Sequence, residues 1–185
     1  MLSFQEYIII FVSIIFGYVA SEFFNGWGKL LRSRKTIEAH WDYIALTIFF
    51  FVMLIDFWWL SYLWYTKVVM NIYSLLIFLA TPLIYFFYSI LLFPHEQNMP
   101  NFNSRTHFLK NNVALYILFM ILMSVSAINE YLFKTNTFYT SENIIRLLAI
   151  GICIVFIVFR KRVFLLKVLV VICYALLTLN FILNR

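Results

Sequence analysis

The chain has 185 residues, of which 64% are apolar and only 12% are charged, and its formal net charge at pH 7 is +6. An ordinary soluble domain has about 45 to 50% apolar and about 25% charged residues, so this composition excludes a soluble globular protein. Continuous apolar runs exclude the period-two alternation of a membrane β-barrel. In lipid, helices are then the remaining structure in which all backbone N–H and C=O groups form hydrogen bonds. We therefore predict an all-α, polytopic membrane helix bundle.

Apolar runs bounded by polar or charged clusters divide the chain into about six predicted membrane spans. A hydrocarbon core about 30 Å thick needs roughly 20 residues per helix, so these spans leave room for a single transmembrane domain over residues 1–185. The first run follows Met-Leu-Ser-Phe-Gln and lacks a small-residue cleavage site, which indicates a retained helix rather than a signal peptide. The predicted spans cover residues 6–24, 42–64, 71–93, 111–131, 143–159 and 163–183.

The placement of Lys and Arg predicts how the spans are oriented. Most of these cations fall in or beside the first, third and fifth loops, and only a minority fall on the opposite side. The positive-inside rule therefore places these three loops in the cytoplasm and both termini outside. This pattern predicts a multi-pass protein of the bacterial inner (cytoplasmic) membrane. Trp and Tyr residues at the ends of the spans are typical of membrane-interface anchors.

Asp56 lies inside the second predicted span, within the sequence Val-Met-Leu-Ile-Asp-Phe-Trp-Trp. A charge near the bilayer centre costs roughly 2.5 to 3.5 kcal/mol on insertion scales, so it needs an ionic partner, a proton or water. Arg146, near the outer start of the fifth span, is the expected partner in a static ion pair. The alternatives are an Asp56 that handles a proton or cation, and an outer hydration site without a role in transport.

Two further carboxylates, Glu22 and Glu130, lie near the cytoplasmic end of the first span and the outer end of the fourth. Their contexts, Ser-Glu-Phe-Phe and Asn-Glu-Tyr-Leu, are similar. This similarity raises the hypothesis of an inverted repeat of two three-helix halves, as in many transporters. Ion pairs of Glu22 with Lys167 or with the basic first loop are the simpler interpretation.

Two local patterns refine the helices. Pro82 lies in the middle of the third span, where its missing N–H predicts a helix kink. Ser13, Gly17 and Ser21 recur every four residues, and such a row of small side chains predicts the close approach of a neighbouring helix.

The first loop is the most basic polar stretch, with Lys29, Arg32, Arg34 and Lys35 within seven positions. Each cation near an anionic surface contributes about 1 kcal/mol, so the anionic headgroups of the bilayer are the expected partner. A cytoplasmic protein that binds this loop is the alternative. Nucleic acid is disfavoured as a partner, because four positive charges alone do not indicate nucleic-acid binding.

No catalytic residue is predicted, because the sequence has no nucleophile elbow, phosphate-binding glycine loop, paired-cysteine motif or kinase signature. His95 and Glu96 lack the second histidine of a helical zinc-protease motif, so we predict neither a metal nor a cofactor. Cys153 and Cys173 both fall inside apolar runs and show no metal or disulfide spacing.

A pattern of small and aromatic residues marks the first third of the chain: Phe16-Gly17-Tyr18-Val19-Ala20-Ser21-Glu22-Phe23-Phe24, then Gly26, Gly28, Leu-Leu-Arg-Ser-Arg, His40-Trp41 and Phe57-Trp58-Trp59. This pattern resembles a group of small, uncharacterised bacterial multi-pass membrane proteins. The resemblance implies no function. Some membrane proteins of this size accompany RNA-guided defence nucleases.

Three functional hypotheses fit these features. The first is a membrane protein that forms, as a homo-oligomer, a path for an ion or small solute. The second is a non-transporting accessory or effector protein, for example in antiviral defence, whose basic loop binds a cytoplasmic partner. The third is a lipid-modifying enzyme built around Glu22, His40 and Asp42.

Overall fold

A computed structural model describes residues 4–61, 72–94, 102–135, 140–158 and 164–183. Over these ranges the chain is helical and contains no β-strand, and an isolated bridge joins Glu38 to Asn103. A π-helical turn, Tyr131–Thr135, continues the fourth helix. The α-helices in chain order are α1 Phe4–Arg32, α2 Trp41–Ser61, α3 Ile72–Leu92, α4 Ser104–Glu130, α5 Ser141–Val158 and α6 Phe164–Leu183. The prediction of an all-α fold is confirmed.

The helices α1 to α5 are long and apolar enough to cross a membrane, with the fourth of these spans running to Phe133. Helix α6 has 20 residues and covers most of the sixth predicted span. The prediction of several helices able to span a membrane is therefore confirmed. A sixth crossing and the location of the two termini stay predictions.

Two helices begin or end several residues away from the predicted boundaries. Helix α1 continues to Arg32, so Lys29 and Arg32 occupy its last turn instead of a loop. Cations there interact favourably with the carboxyl end of the helix dipole. Helix α4 begins at Ser104, because the side chain of Asn103 caps it by accepting hydrogen bonds from the backbone N–H groups of the next turn.

Aromatic side chains fill much of the space between α2, α3 and α4. The rings of Phe50 and Tyr88 stack with their centroids 3.9 Å apart. Further along the same two helices, the rings of Phe57 and Phe78 lie 5.5 Å apart. The Tyr88 hydroxyl donates a hydrogen bond to the Leu115 carbonyl over 2.8 Å, which ties α3 to α4. These pairs show that α2 and α3 run antiparallel, with Phe57 level with Phe78.

Of the glycines Gly17 and Gly26 on α1, it is Gly26 that a neighbouring side chain covers closely. A Cβ atom at Gly26 would overlap the ring of Phe93, whereas one at Gly17 would meet nothing within 4 Å. The expectation that a neighbour packs closely on the row of small residues is thus wrong at Gly17, which is exposed within the described chain. The ring of Phe93, at the end of α3, occupies the space that a side chain at position 26 would need, so this position requires glycine.

Pro82 lies inside α3, as predicted, and its side chain is buried. The helix extends without interruption from Ile72 to Leu92. The proline therefore removes a backbone hydrogen bond without ending the helix, since neighbouring helices can support such a position in a membrane bundle.

Candidate functional site

A salt bridge joins Arg146 on α5 to Glu130 at the end of α4. The Glu130 side chain is 1% exposed and that of Arg146 is 18% exposed. The same guanidinium Nη1 also donates to Asn143 Oδ1 over 2.5 Å. The predicted pairing of Arg146 with Asp56 is therefore wrong, and Glu130 is the partner. The reason is chain connectivity: α4 and α5 are consecutive, packed neighbours, which brings the end of one beside the start of the other.

Asn129, next to Glu130 on α4, faces α3. Its Nδ2 donates a hydrogen bond to Thr81 Oγ1 over 2.9 Å. Asn129 is 0% exposed and Thr81 is 1% exposed, so the contact is fully inside the protein. Neither residue is among the candidates predicted from the sequence, although a Thr-Pro pair and a lone Asn inside apolar spans are the signals that could identify them.

Two acceptor oxygens of this region have no hydrogen-bond partner among the described residues. They are Asn129 Oδ1 and Glu130 Oε1, and both are buried. Leaving a buried acceptor unsatisfied costs about 1 to 3 kcal/mol, and more for a charged group. The two oxygens therefore mark positions where a bound cation, a proton or a hydrogen-bond donor would be stabilised.

Asp56 lies at the level of these groups on α2. Its neighbour Phe57 packs on Phe78 of α3, one turn before Thr81. Asp56 is half-buried. In the described parts of the chain, no cation forms a salt bridge with it. We call this set of membrane-embedded groups the polar layer: Asp56, Thr81, Asn129, Glu130 and Arg146.

A second polar region lies at the end of the bundle that is predicted to face the cytoplasm. The backbone N–H of Glu38 donates to the Phe102 carbonyl over 2.8 Å, and that of Ser104 donates to the Glu38 carbonyl over 3.0 Å. Asn103 Nδ2 donates to the Glu38 carboxylate. The backbone N–H of His40 donates to Ser104 Oγ over 3.0 Å. The connection between α1 and α2 is thus held against the start of α4.

The proposed nucleus of a lipid-modifying enzyme does not form an accessible site. Asp42 is 0% exposed, accepts a hydrogen bond from the Tyr43 N–H over 2.9 Å, and lies 3.5 Å from Arg105 Nη2. His40 and Glu22 are each half-buried, and none of the described hydrogen bonds or salt bridges joins either of them to Asp42. The buried carboxylate therefore serves the packing of α2 against α4.

The basic residues of the first loop present a partly exposed surface. Arg32, Arg34 and Lys35 are exposed, whereas Lys29 is half-buried in the last turn of α1. The backbone contacts of Glu38 hold the connection that carries this surface. These cations could meet anionic headgroups or an acidic protein surface.

No group of three or more His, Cys, Asp or Glu residues suited to a metal ion occurs in the described ranges. Cys153 and Cys173 are buried and have free thiols. His95 and Glu96 lie outside the described residues.

Comparisons of the chain with protein-family models, curated proteins and solved structures find no match. The resemblance to small bacterial multi-pass proteins stays a prediction.

Proposed function

We propose that the protein is an integral membrane protein that forms a path for an ion or small solute, as a channel or a transporter. The observation that carries this proposal is the polar layer, which lies within helices apolar enough to span a membrane. Ionisable groups at such positions are costly, and they often line substrate or ion pathways. A purely structural role would account for Glu130 and Arg146, which pair, but not for Asp56, which forms no salt bridge with the described residues.

The charges of the polar layer favour a cation or a proton over an anion. Glu130 and Arg146 cancel each other, so the net charge of the layer comes from Asp56. A carboxylate accepts hydrogen bonds and binds cations, and it becomes neutral when it takes a proton. Asp56 is therefore the group on which transport depends, and the Glu130–Arg146 pair positions α4 and α5 beside it.

Flux into liposomes tests the proposal directly. Purified wild-type protein should conduct protons, Na⁺ or K⁺, and the Asp56→Asn variant should lose that flux while keeping its helical content. The matched control is Glu22→Gln, which also converts a half-buried carboxylate to an amide but lies outside the polar layer. Absence of flux from folded wild-type protein would overturn the proposal. The mass of the purified protein in detergent, measured before reconstitution, tests the predicted homo-oligomer.

A second candidate function rests on the basic surface of Arg32, Arg34 and Lys35, which is exposed while its backbone is held in place. In this role the protein is a membrane accessory or effector, for example in antiviral defence, that binds a cytoplasmic protein. Replacing all three cations with Gln should abolish co-purification of that partner without changing membrane insertion. Lys110→Gln, at another exposed cation, is the control. Equal recovery of the partner with both variants would contradict this function.

A further inference from the structure

Arg105, in the first turn of α4, has more hydrogen-bond donors than its described contacts use. A guanidinium presents five N–H donors in a planar fork. Among the described residues, the side chain contacts Asp42, where Nη2 lies 3.5 Å from Oδ2. Charge-assisted hydrogen bonds of this kind are usually about 2.7 to 2.9 Å long, so this contact is weak. Arg105 Nε is buried and has no described partner. A further anionic acceptor beside this side chain would therefore be stabilised.

The surroundings of Arg105 carry an excess of positive charge. Asp42 is completely buried, whereas the Arg105 side chain is 32% exposed, so an anion that approaches from outside the bundle meets the guanidinium first. The exposed cations Arg34 and Lys35 lie on the connection that Glu38 holds against the start of α4. With Arg105, these cations outnumber the carboxylates Glu38 and Asp42. This balance of charges favours a bound anion.

An exposed apolar stripe begins beside Asp42 and follows α2 along its length. Helix α2 is long and apolar enough to cross a membrane, and it begins with Trp41, a residue type enriched at the level of the lipid headgroups. Side chains three or four positions apart share one face of a helix, so the exposed residues form a continuous surface. The stripe consists of Trp41, Ile44, Ile48, Val52 and Ile55. It therefore leads from the headgroup level towards the level of the acyl chains.

We propose that Arg105 binds the phosphate of an anionic phospholipid, and that an acyl chain of this lipid lies along the apolar stripe. The planar fork of arginine matches the oxygens of a phosphate in a bidentate arrangement. Basic pockets between membrane helices bind phosphate headgroups in the same way. The stripe favours a lipid over free phosphate, which has no apolar part. The inference goes beyond the proposed transport function, because the polar layer contributes no residue to this site.

Native mass spectrometry of the purified full-length protein in detergent, titrated with dioleoyl phosphatidylglycerol, measures this binding. Arg105→Lys keeps the positive charge beside Asp42 but loses the planar fork, and it should weaken binding about tenfold, the equivalent of about 1.4 kcal/mol. Its helical content, measured by circular dichroism, should not change. Lys110→Gln is the control, because it removes an exposed cation from the same helix. This variant should bind within about twofold of wild type.

Competition on the wild-type protein distinguishes a lipid from free phosphate, and it does not depend on the folding of any variant. Glycerophosphoglycerol, which is the same headgroup without acyl chains, should not displace the lipid at equal concentration. Inorganic phosphate should not displace it either. Displacement by one of these two would show that the phosphate alone is recognised, and it would overturn a lipid as the occupant.

Three further outcomes would overturn the site itself. Folded wild-type protein might bind no phosphatidylglycerol at all. Binding could be unchanged in Arg105→Lys but lost when Arg34 and Lys35 are both replaced by Gln, which would assign it to the exposed basic surface. An equal loss in Arg105→Lys and Lys110→Gln would show that binding does not depend on the fork of Arg105. Tenfold weaker binding in Arg105→Lys, with the control unchanged, would support the site.

Discussion

Arg146 and Glu130 are 16 residues apart in the chain, yet the guanidinium of one donates to the carboxylate of the other across the interface of α4 and α5. The carboxylate is almost completely buried, and only one of its oxygens takes part. Asn143, one turn before Arg146 on α5, accepts a further hydrogen bond from the same guanidinium. The arrangement fixes where the start of α5 meets the end of α4.

Breaking this pair from one side should destabilise the protein strongly. Glu130→Leu leaves the Arg146 charge without its partner, and we expect a loss of about 3 to 5 kcal/mol in the free energy of unfolding. Arg146→Met should cost a similar amount, because it leaves the Glu130 carboxylate buried alone. The double variant should recover most of the loss, since apolar replacement of both partners is often neutral. Thermal unfolding in detergent, followed by circular dichroism, measures all three.

The control for this series is Glu22→Leu, which removes a half-buried carboxylate from α1 that has no described salt bridge. It should change stability by less than about 1 kcal/mol. A double variant whose loss of stability equals the sum of the two single losses would show that these side chains act independently.

The helices were predictable because backbone groups in lipid must form their hydrogen bonds within the protein, and a helix does so within one segment. Continuous apolar runs of span length mark α1 to α5 in the sequence as clearly as in the structure. The ends were less predictable, because capping and interface residues decide them. Asn103 starts α4 about two turns before the apolar run, and the cations up to Arg32 extend α1 beyond it.

The partners within the polar layer were only partly predictable. The sequence identifies Asp56 and Arg146 as a candidate buried charge pair and Glu130 as a carboxylate at a membrane end. Distance along a helix gives membrane depth but not which helices are neighbours. The sequence therefore predicts Asp56 as the partner of Arg146, whereas the packing of α4 on α5 makes Glu130 the partner. A single amide has no spacing pattern, so the sequence alone does not identify Asn129.

The two glycines of α1 should respond oppositely to alanine. Gly26→Ala places a Cβ atom in the ring of Phe93, and we expect it to destabilise by about 1 to 3 kcal/mol through overpacking. Gly17→Ala meets open space and should be neutral or stabilising by up to about 1 kcal/mol, because alanine favours the helix. Unfolding temperatures in detergent compare the two. Equal destabilisation at both positions would contradict the assigned contact, and destabilisation at Gly17 alone would indicate a second chain packed on its face.

Docking of the α1–α2 connection on the start of α4 can be tested by a cross-link. Glu38 and Asn103 face each other in a parallel bridge, and adjacent strands are about 4.8 Å apart, within the range that a disulfide spans. A Glu38→Cys and Asn103→Cys double variant should therefore form an intramolecular disulfide in native membranes. The control pairs Asn103→Cys with Arg34→Cys, an exposed residue of the same connection without the bridge contacts. Cross-linking of the control as fast as the test pair would show that the connection is not held there.

The orientation in the membrane can be read from two exposed positions separated by three helices. Arg34 follows α1 and Ser141 begins α5, and both are exposed. A membrane-impermeant maleimide should label Arg34→Cys only in inverted vesicles and Ser141→Cys only in intact spheroplasts, because the positive-inside rule predicts that the basic loop faces the cytoplasm. Background labelling should be low, since Cys153 and Cys173 are buried. Labelling of both positions from one side would contradict a crossing by each of α2, α3 and α4, and the reversed pattern would invert the topology while keeping those crossings.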